Sequence, residues 1–304
     1  MSDLSILIPA RNEMFLRKTV ENILENIRAD TNIIVVMDGQ WADPPLRQHE
    51  RVTVLHFPES IGQRAATNMA ARVSTAKYVA KCDAHCSFDE GFDQVLLDDI
   101  QEGWTILPKM YNLHAFDWVC QKCDERWYQG PTPEKCRNED CDSTEFERDI
   151  LWRHKTNPTT TAMRFDRNLK FQYWSGYKSR QGDADLVETM SILGAFWMCS
   201  REMYFRLNMC DEGHGSWGQM GTEVACKTWL SGGRLIVDKK TWFAHMFRTQ
   251  GGDFGFPYKL KGSDVRKARR YSKDLWINNK WEHAVYDLDW LLDKFKPVPD
   301  WHDD

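Results

Sequence analysis

Within the first hundred residues, short apolar runs alternate with stretches of helical spacing, and this alternation restricts the fold more tightly than any other feature of the chain. Ser5-Ile6-Leu7-Ile8-Pro9 is an apolar run closed by a proline, which predicts a buried strand. Phe15, Leu16, Val20, Ile23, Leu24 and Ile27 recur at helical spacing and predict a helix over 15–27. Asn32 to Met37 predicts a second buried strand ending at Asp38-Gly39, and Val52 to Phe57 a third. Gly62 to Val73 is rich in alanine and predicts a helix. Lys77 to Lys81 predicts a fourth strand that runs into Asp83-Ala84-His85. Strands that are apolar throughout, rather than on alternate residues, belong to sheets covered on both faces. The expectation is an α/β fold with a mostly parallel sheet and helices on both sides.

The pattern stops between Cys120 and Cys141, where the sequence CQKCDERWYQGPTPEKCRNEDC is polar and turn-rich. A segment with so little to bury needs a staple of its own. Apolar strand and helix signals return over 190–250, and the tail from Phe254 is rich in Lys, Arg and aromatics, with an amphipathic helix expected near Trp281 to Phe295. The expected layout is a domain over 1–250 with an insertion at about 115–145, then a basic and aromatic extension over 251–304. A chain of 304 residues with 42% hydrophobic content can bury one large core of this kind.

A formal net charge of -5 excludes a globally basic nucleic-acid binder but leaves room for a local basic patch. No run of about 18 apolar residues occurs, so neither a transmembrane helix nor a membrane partner is expected. The start, MSDLSILIPARNE, shows no basic region followed by a long apolar one, which points to a cytoplasmic protein. In a reducing compartment, nine cysteines with four in one spaced cluster favour a metal over disulfides.

Asp83 and His85 stand two residues apart at the end of a predicted strand. In open parallel α/β sheets, ligands bind beyond the carboxyl ends of the strands. A carboxylate and an imidazole there suit a hard divalent ion, with the nitrogen favouring Mn²⁺ over Mg²⁺. Such an ion neutralises a departing diphosphate. A bare D-x-H is more often a turn-capping aspartate beside a surface histidine, so its position must carry the argument. Cys82 and Cys86 flank the pair, but five contiguous residues cannot easily wrap one tetrahedral ion.

The order Pro9-Ala10-Arg11-Asn12-Glu13, Asp38-Gly39, Gly62-Gln63-Arg64, Asp83-x-His85 resembles family 2 and related glycosyltransferases of the GT-A fold. The stretch from Gly194 to Arg248 is similar to the polypeptide N-acetylgalactosaminyltransferases and their bacterial and viral relatives, which carry W-G-G-E-N-x-E, then G-G, then x-H-x-F-R. The matching positions are Trp217, Gly218, Glu223, Gly232, Gly233, His245, Phe247 and Arg248. The resemblance implies a nucleotide-sugar donor, UDP-linked, held by Pro9, Arg11, Glu13, Asp38, Arg64 and Asp83. It also implies a Mn²⁺ or Mg²⁺ site at Asp83, His85 and His245, and a catalytic group of Asp83, Glu223 and Trp217. Retention at the anomeric carbon follows from the same likeness. The family's first Glu and its Asn fall on Met220 and Gly221, so only Glu223 keeps a carboxylate, either as a base or as a structural group on the following helix.

Cys120-x₂-Cys123-x₁₂-Cys136-x₄-Cys141 has the spacing of a closed structural Zn²⁺ site, expected to hold Trp127 and Tyr128 as an acceptor-binding element. In the tail, Lys259, Lys261, Arg266, Lys267, Arg269, Arg270 and Lys273 interleave with Phe256, Tyr258, Tyr271 and Trp276. Such a mixture tracks a phosphate backbone and stacks bases, although most charge runs are solvated helix faces. The expected acceptor is a hydroxyl on an intracellular macromolecule, with a hydroxymethylated base in DNA as the first candidate. Protein, glycan and small-molecule acceptors stay open. A zinc-ribbon module on an inactive nucleotide-binding scaffold is the alternative from another class, with a nucleotidyltransferase behind it.

Overall fold

The computed structural model describes residues 2–248 and 250–301. Up to Cys82 it follows the alternation closely: strand β1 (Leu4–Ala10), helix α1 (Leu16–Asn26), β2 (Thr31–Asp38), β3 (Val52–Phe57), α2 (Gln63–Val73) and β4 (Tyr78–Cys82). These strands lie in the order β3-β2-β1-β4, and every pair is parallel. Leu4, Ile6, Leu7 and Ile8 of β1 are all buried, as a central strand covered on both faces requires. The edge strand β3 is half-exposed, which explains its weaker apolar pattern.

Beyond β4 the chain adds β5 (Cys86–Phe88), α3 (Phe92–Asp99), β6 (Trp104–Cys120), β7 (Arg126–Tyr128), β8 (Phe146–His154), β9 (Met163–Phe165), β10 (Phe171–Tyr173), α4 (Lys178–Gln181), β11 (Leu186–Glu188), β12 (Phe196–Ser200), α5 (Arg201–Arg206), α6 (Met220–Leu230), β13 (Arg234–His245), α7 (Gly262–Trp276) and α8 (Leu288–Phe295). Here the sheet departs from the parallel expectation. β12 runs antiparallel between β4 and β6, while β13 runs parallel to β6 and antiparallel to β5 and β11. The regular strand–helix–strand crossovers that enforce parallel pairing end at β4, and the sheet becomes mixed. Helices cover both faces, as consecutive residues of β12 show. Phe196 packs on Phe92 of α3, whereas Trp197 points the other way and stacks on Tyr204 of α5.

β6 is long because it serves two sheets. Its first part pairs with β13, and Leu113 to Cys120 pairs with β8 and, near its end, with β7. That outer part has a small core of its own, in which Phe116, Trp118, Trp127 and Trp152 are buried. Phe15 from the loop before α1 packs on Phe116 and Trp152, tying this unit to the main sheet. In the tail, the helix expected near Trp281 to Phe295 begins only at Leu288. Asp287 sets that start by accepting the Trp290 N–H at 2.8 Å. Trp276, Trp281, Leu291 and Phe295 join the main core, so the tail packs on the domain.

β13 carries an irregularity between Asp238 and Trp242, and there Asp238 is buried beside Asp99. Burial first, and the Asp99 carboxyl second, push Asp238 up to about 7. A folded-state value above the ordinary one means that this carboxyl favours the folded state at acid pH. That contribution is fully present below about pH 4 and is lost as pH rises through about 7. Asp238→Asn should therefore stabilise the protein relative to wild type by about 2 kcal/mol more at pH 8 than at pH 5. Denaturant midpoints of both proteins at the two pH values check this, and a pH-independent difference contradicts it.

Candidate active site

A cavity of about 640 Å³ opens at the carboxyl ends of β1, β2 and β4. Its walls include Pro9, Arg11, Glu13, Asp38, Asp83, His85, Trp217 and His245. Parallel strands end there with their loops splayed apart, which is where this class of sheet leaves room for a ligand.

Asp83 follows β4 directly, His85 precedes β5, and His245 closes β13. The pairing of His245 with Cys86 across β13 and β5 is what brings together residues 160 positions apart. One ligand atom from each of the three lies within 4.8 Å of the others. Asp83 Oδ2 is 3.2 Å from His245 Nε2, and the two Nε2 atoms face each other at 3.1 Å. His85 Nδ1 lies 3.1 Å from Glu13 Oε2, an acceptor-only atom, so Nδ1 donates and Nε2 is the nitrogen turned toward His245. Burial lowers His245 to about 4, so its ring is neutral near pH 7. Burial works against the Asp83 carboxylate, but Lys81, His245 and His85 outweigh it and hold the group well below the usual range. One carboxylate and two imidazole nitrogens converging on one point fit a divalent cation, which would displace the proton that His245 Nε2 shares with Asp83 Oδ2, and the Glu13–His85 contact is the supporting bond that metal-bound imidazoles ordinarily make.

Glu13 was expected among the nucleotide contacts, but its oxygens are engaged otherwise. They accept from Arg248 at 2.5 and 2.6 Å and from the Phe15 N–H at 3.1 Å, besides facing His85. It is therefore placed to orient His85. Asp38 lines the cavity, yet it accepts from the Ser60 hydroxyl at 2.7 Å and from the Ile61 and Gly62 N–H groups at 2.5 and 3.1 Å, so it shapes the loop before α2. Pro9, Arg11 and Trp217 do line the cavity; Arg11 lies over the Tyr258 ring, and Trp217 meets Phe256 edge-on.

Arg64 and Glu223 take up positions outside the cavity wall. Arg64 Nε donates to Glu223 Oε2 at 2.8 Å, and its Nη2 donates to the Gly218 carbonyl at 2.7 Å. Glu223 Oε1 accepts from Lys227 Nζ and from the Asp211 N–H, both at 2.7 Å. Burial opposes its charge, but Lys227 and Arg64 prevail and hold it down at about 2. A fully buried carboxylate saturated in this way pins the Trp217-Gly218 loop through Arg64. Asp211, His214 and Glu223 could also be read as a ligand cluster, but Arg64 and Lys227 already supply its cations. Glu223→Gln should cost about 3 kcal/mol by leaving Arg64 and Lys227 under-compensated. The shift in denaturant midpoint measures it, and a change under 1 kcal/mol would count against this pinning.

Residues 5–205 match the profile described as Glycosyl transferase family 2. The chain belongs to that family. Among curated proteins, polypeptide N-acetylgalactosaminyltransferase 5 of Caenorhabditis elegans is 24% identical over 298 residues, covering 90% of this chain and 41% of its own length. The human polypeptide N-acetylgalactosaminyltransferase 3 is 24% identical over 278 residues, covering 86% and 38%. This family 2 chain thus spans about two fifths of the length of such relatives. Among solved structures, GalNAc-T7 crystallised with UDP, GalNAc and Mn²⁺ superposes with a TM-score of 0.66 at 15% identity, covering 97% of this chain and 56% of that one. Staphylococcus aureus TarS gives 0.53 at 11% identity, covering 97% and 43%. The fold is of the GT-A type.

The departures from the W-G-G-E-N-x-E pattern have a structural basis. Gln219 stands where the pattern has its second glycine and adopts the left-handed φ of +63° that a glycine would take without strain. At Gly221, an added Cβ would lie 1.9 Å from the Ile192 carbonyl oxygen, so an asparagine does not fit there. Met220 and Gly221 line the cavity and make this part of the wall less polar than the pattern implies.

Lys81 was missed in the sequence. Its side chain is fully buried, lines the cavity and pairs with Asp83. The signal in the sequence is a lysine closing an apolar predicted strand, two residues before Asp83.

The four cysteines of the outer unit converge, with Cys120 and Cys141 sulfurs 3.8 Å apart and Cys123 and Cys136 sulfurs 3.5 Å apart. Four Zn–S arms of about 2.3 Å at tetrahedral angles separate sulfurs by about 3.8 Å. The spacing therefore fits Zn²⁺ and is far too long for disulfides. Trp127 is buried under this site against Phe146, while Tyr128 lies beside His114 and Lys155.

Proposed function

We propose that this chain is a metal-dependent glycosyltransferase that moves a sugar from a nucleotide-sugar donor, UDP-linked, to a hydroxyl of a macromolecular acceptor. The convergence of Asp83, His85 and His245 on one point of the cavity carries this reading. A Mn²⁺ or Mg²⁺ ion there supplies charge neutralisation for a leaving diphosphate. The chain's own residues do the rest. Glu13 fixes the His85 tautomer, Arg248 fixes Glu13, and Arg64 with Glu223 holds the loop that presents Trp217. Residues 1–250 form the catalytic unit with its zinc-stapled insertion, and Phe256 to Lys261 with Asp264, Val265 and Arg269 from the extension over 251–304 complete the cavity.

The acceptor reading rests on the rim. Lys259, Lys261, Arg266, Lys267 and Arg270 are exposed, and Phe256 beside them is 48% exposed. Cations beside an open aromatic suit a polyanion with a presentable base, so a hydroxymethylated pyrimidine in DNA is the proposed acceptor. Nine free cysteines, four of them at metal-site spacing, suit a reducing cytoplasm. Among the described residues no helix is long and apolar enough to cross a membrane.

The test incubates the protein with Mn²⁺ and UDP-, GDP- and dTDP-sugars, with and without hydroxymethylated DNA. Release of a nucleoside diphosphate is expected with one donor and is stimulated by that DNA. Release indifferent to DNA, together with no gel shift at low salt, overturns the DNA acceptor and leaves protein or glycan. Pyrophosphate release marks a nucleotidyltransferase instead. The substituted Met220-Gly221 pair favours a second reading, an inactive nucleotide-binding scaffold, which predicts no release from any donor.

A further inference from the structure

A buried ammonium is an unusual neighbour for a cation site. Lys81 is 1% exposed, lies next to the last residue of β4, and donates to Asp83 Oδ1 and, at 2.8 Å, to the Gly194 carbonyl. Gln63 reaches the same Asp83 oxygen at 3.4 Å, so Oδ1 is engaged from inside the protein while Oδ2 faces His245. An ammonium has three N–H donors, and two are used. The third belongs to a side chain that lines the cavity.

The charges around the ligand atoms cancel. Asp83 is matched by Lys81, and Glu13 is matched by Arg248. A divalent ion at Asp83 Oδ2 therefore gains no net negative field and is repelled by an ammonium on the other oxygen of the same carboxylate. A diphosphate in the cavity changes the balance. Its oxygens bring the missing negative charge and an acceptor for the free N–H.

Resting on the donor reading above, we propose that Lys81 is a built-in counter-charge that keeps the empty site from retaining a divalent cation and makes metal binding depend on the donor's diphosphate. Lys81 is a positioning residue here. In the empty site it stands in for part of the ion's charge beside Asp83, and in the filled site it shares the diphosphate.

The experiment titrates wild type, Lys81→Met and Lys81→Gln with Mn²⁺, following free Mn²⁺ by electron paramagnetic resonance, without nucleotide and with saturating UDP. UDP affinity is measured separately in chelator by calorimetry. Wild type should bind Mn²⁺ at least tenfold more tightly with UDP than without it. Both variants should bind Mn²⁺ at least tenfold more tightly than wild type when nucleotide is absent, and should lose about tenfold in metal-free UDP affinity. A purely structural lysine would leave the nucleotide-free Mn²⁺ affinity unchanged or weaker, and that result overturns the proposal while leaving the donor reading intact. Wild type that retains no Mn²⁺ even with UDP overturns both. Should neither variant fold, the wild-type comparison decides, because equal Mn²⁺ affinity with and without UDP sinks the idea.

Discussion

Asp83→Ala is expected to lower nucleoside diphosphate release from the preferred donor by at least about 10³-fold. Asp83 is the only carboxylate among the three converging ligands, and its Oδ2 faces His245 Nε2 at 3.2 Å. Removing it leaves two imidazoles and the buried Lys81 ammonium, a set with no negative charge to offer a divalent cation. Asp83→Asn is the sharper variant, since it keeps the side chain's shape and removes only the charge. It should lose activity as completely as the alanine, and it should also cost about 2 kcal/mol of stability because Lys81 loses its ion-pair partner while staying buried. His245→Ala should share the kinetic loss without the stability penalty of an orphaned lysine. Single-turnover release with each variant, alongside denaturant midpoints, checks the set. An Asp83→Asn protein retaining more than a tenth of wild-type release would remove this cluster from the reaction.

The second large effect is expected at the cysteine cluster. Purified protein should carry one Zn²⁺ per chain, and Cys136→Ser should lose it together with the order of the outer unit. The sulfur spacings of 3.5 and 3.8 Å leave four thiols facing one point, and without an ion that unit has only the small apolar cluster around Phe116, Trp118 and Trp127 to hold it. Metal-binding free energy in so small a unit is folding free energy, of order 10 kcal/mol for isolated zinc-finger peptides. Here β6 is already anchored by β13, so a loss of about 3–5 kcal/mol is expected for the outer unit. Atomic absorption and limited proteolysis between residues 121 and 145 read it out. A strong chelator should reproduce the proteolytic sensitivity, and a reductant alone should not. Sensitivity to reductant with no zinc present would mean that the thiols pair as disulfides.

The sequence was enough to specify the α/β core, because strands apolar on every residue and helices with one apolar stripe have few ways to hide those surfaces except in a layered sheet. It also fixed which side chains could bind metal, since Asp83-x-His85 and the four cysteines are local patterns whose chemistry travels with their spacing. It could not determine how charges pair across the chain. Glu223 meets Arg64 from 159 positions away, and Glu13 meets Arg248 from 235, so the ion pairs of both carboxylates are made with partners that only the folded chain brings near. The mixed half of the sheet, the late start of α8 at Leu288 and the burial of Lys81 beside Asp83 are decisions of the same kind. Local patterns set what each segment buries, whereas the ionic partners of a buried group depend on contacts between distant segments, and those exist only once the tertiary structure has formed.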